Sequence, residues 1–142
     1  MLAIEALNQF YGGSHTLWDV DLAVSAGSRM CLMGRNGMGK TTLLRCIMGL
    51  QPASSGGITF DGIDLLKCPA EQRARLGIGY VPQGREIFSH LTVEENLRVG
   101  LGVRRNGSRT IPSRIFDLFP ALKQMLNRCG GDLSGEIGRA HV

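Results

Sequence analysis

The sequence has few of the features that mark membrane-spanning, secreted or fibrous proteins. No run approaches the ~18 consecutive apolar residues that a helix needs to cross a bilayer. No basic residues precede the apolar positions of the first segment, MLAIEALNQFY, so we expect no secretory leader. The glycines lack the three-residue period of collagen. These absences predict a globular protein located in the cytoplasm.

Cysteine and histidine are too scattered to predict a disulfide framework or a metal site. No two cysteines form a Cys-x-x-Cys pair, and neither His15 nor His90 has a spacing typical of metal ligands. We expect the histidines to be surface or structural residues and the thiols to be reduced. The cysteines are Cys31, Cys46, Cys68 and Cys129.

The composition is that of one globular domain with a core: 142 residues, a formal net charge of +4, 43% hydrophobic and 20% charged residues. Glycine occupies 20 positions, which indicates tight turns or a backbone that lies close to a ligand. Basic residues group only at Arg104-Arg105 and around Gln72–Arg75, and we interpret both groups as solvated faces. We therefore expect no nucleic-acid partner.

Hydrophobic periodicity predicts a mixture of strands and helices. Strands are expected over 4–10 (at a sheet edge), 17–24, 29–33, 58–60 and 78–81, and helices over 41–50, 70–76, from 93 onward, 113–119 and 121–126. Asp61-Gly62 is a hairpin-turn signal, and Thr92 with Glu95 forms a capping box. The order predicts an α/β core with a β-rich N-terminal part and a helical attachment after Val81.

A phosphate-binding motif lies between a predicted apolar strand and a predicted helix. The motif fits G-x-x-x-x-G-K-[ST], in the strand–loop–helix context that it requires. Its glycines let successive backbone N–H groups turn toward an anion, and the helix adds its positive N-terminal end. The motif consists of Gly34, Arg35, Asn36, Gly37, Met38, Gly39, Lys40 and Thr41.

The side chains after the last glycine of the motif supply charge and a metal ligand. Lys40 places a positive charge on the β- and γ-phosphates, which is a catalytic role, and the Thr41 hydroxyl can bind Mg²⁺. Thr42 is a further expected phosphate contact. The pattern by itself leaves open a kinase, a GTPase or a transport ATPase.

Four segments, in this order, resemble the ATP-binding subunits of ABC transporters. They are MCLMGRNGMGKTTLLRCIMGL, PASSGGITFDGIDL, GIGYVPQGREIFSHLTVEENL and GGDLSG, and the last looks like the start of the family's signature motif. The resemblance covers residues 1–135 and implies an α/β P-loop NTPase fold that is incomplete in this chain. It implies a core over residues 1–85, a helical subdomain over residues 86–135, and ATP and Mg²⁺ as cofactors.

Within the family, the likeness is to importers of branched-chain amino acids and urea. The stretches LNQFYGGSHTLWDV and VPQGREIFSHLTVEENL look most like the second ATPase subunit of urea importers. The amino acid relatives usually carry an acidic residue where Gln83 stands. The resemblance therefore implies ATP hydrolysis that energises the uptake of urea, with an amino acid importer as the alternative.

The resemblance also implies roles for single residues. Tyr11 falls where the family stacks an aromatic ring on adenine, with Phe10 as the alternative. Gln83 stands at the family's Q-loop position, where its amide would bind Mg²⁺ and the attacking water. Ser134 and Gly135 would contact the γ-phosphate bound to the opposite protomer of a nucleotide-sandwich dimer.

A second implied surface faces the membrane. In the family, the region that matches Gln83–Leu97 contacts transmembrane permease subunits. Ile87 and Phe88 are apolar residues in this polar loop, and they are either partner contacts or core residues. The resemblance implies a peripheral location on the inner face of a bacterial membrane.

The final residues, EIGRAHV, depart from the family's pattern. They have no apolar period and match the translation of a common sequencing-library adapter, so we expect residues 136–142 to be a non-native tail. The resemblance places the Mg²⁺-binding carboxylate, the general-base glutamate and the switch histidine after Gly135. We therefore expect the chain as written not to hydrolyse ATP.

Three other functions stay open at this point. They are a soluble P-loop enzyme such as a kinase or GTPase, a non-enzymatic nucleotide-binding module, and an ABC ATPase that acts in translation or repair. The guanine-specifying N-K-x-D motif is absent, which disfavours a GTPase. The resemblance of Gln83–Leu97 to importer subunits disfavours an ATPase without a membrane partner.

Overall fold

The computed structural model describes residues 1–84, 86–102 and 110–133. The chain divides into two compact units, one over residues 1–78 and one from residue 79 onward. Each unit has its own hydrophobic core. Within the described ranges, no helix is both long and apolar enough to cross a membrane.

The first unit contains a four-stranded antiparallel sheet. Its strands are β1 (Leu2–Tyr11), β2 (Ser14–Val24), β3 (Ser55–Phe60) and β4 (Ile63–Asp64), in the order β2-β1-β3-β4. The prediction of β1 as an edge strand is wrong, because Ile4 pairs with Leu22 on one side and with Ile58 on the other. A strand's position in a sheet depends on partners distant in sequence, which its own alternation does not reveal.

The turn between β3 and β4 is confirmed. Asp61 and Gly62 form a two-residue loop, with φ of 48° and 80°. Positive φ at both central residues is typical of the type I′ turn that joins tightly twisted hairpins.

One helix of the first unit covers the sheet. Helix α1 (Lys40–Met48) contributes Leu43, Cys46 and Ile47 to the core that the strands share. Gln9 of β1 is also fully buried, and its Oε1 has no hydrogen-bond partner in the described part of the chain. The rest of this unit includes a 3₁₀ turn (Leu65–Lys67) and helix α2 (Ala70–Arg75).

Two predicted strands do not form in the described residues. Residues 29–33 and 78–81 join no ladder. Instead of being buried, Met33 is 84% exposed and Val81 is 62% exposed. Apolar runs of this kind are typical of strands buried on both faces, which need neighbours on either side. Since neither run finds such a neighbour among the described residues, its apolar character alone does not make it a strand.

The second unit is helical, as predicted. Its helices are α3 (Val93–Leu101), α4 (Ser113–Leu118) and α5 (Pro120–Gln124). The capping box of α3 is confirmed, since the Thr92 hydroxyl accepts from the Glu95 N–H and the Glu95 carboxylate accepts from the Thr92 N–H. The Glu95 carboxylate accepts hydrogen bonds from the Thr92 N–H and, in addition, from the Thr92 hydroxyl, and these two bonds, in that order of size, lower the pKa of Glu95. Pro120 occupies the first turn of α5, where its missing N–H costs little.

Candidate functional site

The phosphate-binding loop is an exposed segment that leads into α1. Residues 34–38 are exposed, and α1 begins at Lys40. The first turn of this helix contains no acidic residue, and no side chain caps its N-terminus. Its free N–H groups therefore present positive charge that nothing local neutralises. The loop lies at residues 34–39, as predicted, although residues 29–33 before it do not form the predicted strand.

The last glycine of the loop is required by its surroundings. Gly39 has φ of 80°, and a Cβ at this position would lie 2.8 Å from Leu17 Cδ2 and 3.0 Å from the Thr16 carbonyl oxygen. Both neighbours belong to β2. The loop is thus held against the β1–β2 hairpin so closely that a side chain would separate them.

The ammonium group of Lys40 folds back over the loop. Its Nζ donates hydrogen bonds of 2.6 Å to the carbonyl oxygens of Gly34 and Arg35. The described loop from Gly34 to Gly39 also carries the Arg35 guanidinium and no carboxylate. A bound phosphate would replace these neutral carbonyl oxygens with an anionic acceptor, so that the Lys40 ammonium would form an ion pair as well as a hydrogen bond.

The two threonines that follow Lys40 face different surroundings. Thr41 is exposed in the first turn of α1. Thr42 is buried. Three of the remaining motif residues are exposed to solvent: Asn36, Gly37 and Met38.

The aromatic residues of β1 and β2 differ in their ring contacts. The ring of Phe10 stacks on His15, with ring centroids 4.0 Å apart, and the ring of Trp18 lies 3.7 Å from His15 in a tilted arrangement. Tyr11, at the end of β1, is 45% exposed and makes no ring contact within the described part of the chain. Phe10 is exposed to nearly the same extent, at 43%, but its ring is stacked on His15, whereas the ring of Tyr11 has no such contact among the described residues. His15 also bonds to Asn8 through Nε2 at 2.8 Å, which is a structural role.

In the second unit, the structure places Gln83 and Phe88 on the surface. Gln83 is exposed, Phe88 is 57% exposed, and Ile87 is partly buried. The position of Phe88 is fixed by a residue that sequence reasoning missed. Asn96 of α3 is buried, accepts from the Phe88 N–H at 3.0 Å and donates to the Phe88 carbonyl oxygen at 3.0 Å.

The prediction that the basic group around Gln72–Arg75 forms a solvated face is wrong at Arg73, which is only 5% exposed. Its guanidinium donates to the carbonyl oxygens of Cys46 and Ile47 at the C-terminal end of α1. A cation that satisfies the last carbonyls of a helix stabilises its C-terminus. The sequence gives no local signal of this contact, because the two helices are more than twenty residues apart.

Several predicted residues lie outside the described ranges. Ser134, Gly135, Arg104-Arg105 and the expected tail over 136–142 are among them. The four cysteines are free thiols: Cys46 is buried, Cys68 is partly buried, and Cys31 and Cys129 are exposed. Within the described ranges, no group of three or more His, Cys, Asp or Glu residues could hold a metal ion.

Comparison with known families and sequences identifies relatives over nearly the whole chain. The sequence model of the ABC transporter family matches residues 17–136. A high-affinity branched-chain amino acid transport ATP-binding protein, BraG of Pseudomonas aeruginosa, is 37% identical over 99% of this chain. The probable branched-chain amino acid transport ATP-binding protein LivF of Archaeoglobus fulgidus is 38% identical over 95% of this chain. The chain spans 63% of the first relative's length and 58% of the second's.

Solved structures give the same fold. An ATP-binding subunit of an ABC transporter superposes with a TM-score of 0.80 at 26% identity, with 99% of this chain and 59% of that chain covered. A nucleotide-free ATP-binding cassette from an ABC transporter gives a TM-score of 0.75 at 26% identity, covering 99% of this chain and 64% of that chain. The predicted α/β P-loop NTPase fold is thereby confirmed.

Proposed function

The chain belongs to the ABC transporter family, and we propose that it binds ATP with Mg²⁺ as part of an ATPase subunit that energises solute import. The observation that carries this proposal is the loop from Gly34 to Gly39. It leads into the uncapped N-terminus of α1, with the Lys40 ammonium folded over it. A loop with two cations, no carboxylate and free helical N–H groups is suited to a polyphosphate.

Each residue of the site has a distinct proposed task. Lys40 neutralises charge on the β- and γ-phosphates, and Thr41 binds Mg²⁺ through its exposed hydroxyl. Tyr11 stacks on the adenine. Gln83 binds Mg²⁺ and the attacking water and transmits the state of the nucleotide to a partner. The other proposed nucleotide contacts are Thr42, Ser134, Gly135 and the loop residues Gly34, Arg35, Asn36, Gly37, Met38 and Gly39.

For the solute, we propose urea, with branched-chain amino acids as the second candidate. Urea is supported by the glutamine at position 83 and by the stretches LNQFYGGSHTLWDV and VPQGREIFSHLTVEENL. Branched-chain amino acids are supported by the similarity to the transport ATP-binding proteins for these solutes from Pseudomonas and Archaeoglobus. Side-by-side transport assays of the two solutes with the associated permease separate these candidates.

The proposed partners are transmembrane permease subunits and a second ATPase protomer. We assign residues 1–85 to the core of the ATP-binding domain and residues 86–135 to a helical subdomain. The permease would contact Gln83–Leu97, where the exposed ring of Phe88 offers an apolar anchor. The protein would act on the inner face of a bacterial membrane.

We predict that Tyr11→Ala weakens the binding of ATP about 5- to 30-fold, because stacking of a base on an aromatic ring contributes ~1–2 kcal/mol. Tripolyphosphate, which has no base, should bind both proteins equally. The measurement is competition against a fluorescent ATP analogue in the presence of Mg²⁺. Tyr11→Phe should retain the affinity, and Trp18→Ala serves as the control for loss of an exposed ring. An equal loss for ATP and tripolyphosphate would contradict base stacking by Tyr11.

A second prediction concerns turnover by the 142-residue chain. Lys40, Thr41 and Gln83 supply only part of the positioning and charge stabilisation that phosphoryl transfer needs. We therefore expect phosphate release from ATP no faster than that of the Lys40→Ala variant, measured by a malachite-green assay. Release that exceeds this background would show that the chain assembles a complete catalytic site, and that our expectation is wrong.

A further inference from the structure

A cavity of ≈ 490 Å³ lies in the first unit, next to the C-terminal end of α1 and away from the phosphate-binding loop. Its volume is within the range of small-molecule sites, roughly 300–1,000 Å³. The lining comes from α1 and the loop after it, from the 3₁₀ turn, and from the start of α2. The lining residues are Cys46, Gly49, Gln51, Pro52, Ala53, Leu66, Lys67, Cys68, Pro69 and Arg73.

The wall of this cavity contains a buried positive charge. Arg73 is 5% exposed, and burial lowers its pKa. The guanidinium nevertheless stays charged, because arginine is not deprotonated in proteins. A buried charge is normally paired with an opposite charge or fully hydrogen-bonded. Among the described residues, Arg73 has no carboxylate as an ion-pair partner, and only part of its hydrogen-bond donors are used.

The hydrogen bonds of Arg73 use only part of its donors. Nη1 donates to the Cys46 and Ile47 carbonyl oxygens at 2.7 and 2.8 Å, and Nε donates to the Cys68 carbonyl oxygen at 2.8 Å. Among the described residues, Nη2 has no hydrogen-bond partner, and Arg73 is one of the residues that line the cavity. We therefore assign the unused donors of Nη2 to a ligand in the cavity.

No carboxylate among the described residues neutralises Arg73. The nearest candidate, Asp64, acts on Arg73 only at a distance and instead accepts a hydrogen bond of 2.9 Å from Lys67. The cavity lining itself contains no acidic residue. The site therefore combines one unneutralised positive charge with apolar walls from Pro52, Ala53 and Leu66.

We propose that this cavity is a binding site for a carboxylate on a short apolar body, held by hydrogen bonds from Arg73 Nη2. A single unmatched charge fits a monoanion better than a phosphate dianion, because Lys67 already has Asp64 as its partner. The apolar body would lie against Pro52, Ala53 and Leu66. Since Arg73 also binds the last carbonyls of α1, the ligand would contact the group that holds the far end of the helix that begins at Lys40.

Cys68, in the cavity wall, provides a test with the full chain. Iodoacetate and iodoacetamide both alkylate a thiolate, with the sulfur bonding to the methylene carbon as iodide leaves, but only iodoacetate carries a carboxylate. We expect the iodoacetate-to-iodoacetamide rate ratio to be about 10-fold higher at Cys68 than at the exposed Cys31 and Cys129, from one charge-assisted hydrogen bond. Peptide mass spectrometry gives the rate at each cysteine.

A protection assay and three variants separate the site from general electrostatics. Isobutyrate at constant ionic strength should slow alkylation of Cys68 by both reagents. Ala53→Leu should abolish the excess iodoacetate-to-iodoacetamide ratio at Cys68 while leaving Arg73 in place, and a folded Arg73→Gln variant should also abolish it. Lys67→Gln should leave most of the excess ratio. Equal ratios at all three cysteines, or an excess that survives both Ala53→Leu and isobutyrate, would overturn the proposal.

The same assay identifies the source of the carboxylate. A tripeptide with blocked ends and one central glutamate is compared with isobutyrate as the protecting agent. Stronger protection by isobutyrate supports a free small molecule as the ligand. Stronger protection by the peptide supports the same carboxylate site, with the group supplied by a polypeptide side chain.

Discussion

Replacing Lys40 with alanine is expected to weaken the binding of Mg²⁺–ATP by about 10- to 100-fold, because hydrogen bonds to a charged group contribute ~1.5–3 kcal/mol. In the unliganded chain, this ammonium group is held by the Gly34 and Arg35 carbonyl oxygens. When ATP binds, the Lys40 ammonium exchanges these two neutral carbonyl oxygens for charged phosphate oxygens. The affinity for ATP reflects only the difference in free energy between the two sets of hydrogen bonds. Calorimetric titration at fixed ionic strength measures the effect.

Two variants test whether the effect comes from the position of the charge. Lys40→Arg keeps a cation at the loop but cannot donate from the same compact group, so an intermediate affinity is expected. Lys123→Ala removes an exposed lysine of α5 and changes the net charge by the same amount. If Lys123→Ala weakened binding as much as Lys40→Ala, the loss would reflect overall charge, and Lys40 would have no specific role in binding phosphate.

The second large effect is expected in stability, at a glycine of the sheet. Gly56→Ala should lower the free energy of unfolding by about 2–5 kcal/mol, as the sum of backbone strain and overpacking. Gly56 has φ of 93°, and a Cβ there would lie 2.4 Å from the Ala6 carbonyl oxygen and 2.6 Å from Leu7 Cα. The obstacles are backbone atoms of β1, which cannot move aside by rotating a side chain. Urea unfolding followed by circular dichroism measures the change.

Substitutions at two other glycines serve as controls that separate backbone strain from the steric collision of the new Cβ. Gly62 has φ of 80° but open space around its Cβ position, so Gly62→Ala should cost only about 1 kcal/mol, the penalty for a left-handed alanine. Gly57 has open space and no left-handed φ, and Gly57→Ala should change stability little. If all three variants lost the same stability, close packing of β1 against β3 at Gly56 would not be the cause.

The position of the glycine-rich loop could be predicted because its signals are local. The loop from Gly34 to Gly39 and the start of α1 follow from glycine spacing and helix periodicity over fewer than twenty residues. The contact between Phe10 and His15 could not be predicted in this way. It depends on the pairing of β1 with β2, which places His15 opposite Phe10.

The errors share one cause, which is dependence on partners distant in the chain. The runs 29–33 and 78–81 have the composition of strands but find no ladder partner in the described residues. Asn96 looks like an ordinary helical residue, and only the structure shows that it holds Phe88 through two hydrogen bonds.

By itself, the sequence determined the family, the phosphate-binding loop, the type I′ turn and the capping box of α3. The family follows from the motifs and their order along the chain, and the other three features are decided by backbone conformation and hydrogen bonds within a few residues. Only the tertiary structure decided that β1 lies inside the sheet, that Gly56 must lack a side chain, and that Arg73 is buried beside a cavity. These features depend on which surfaces meet after the chain closes on itself, because burial and charge pairing are properties of the neighbours as much as of the residue.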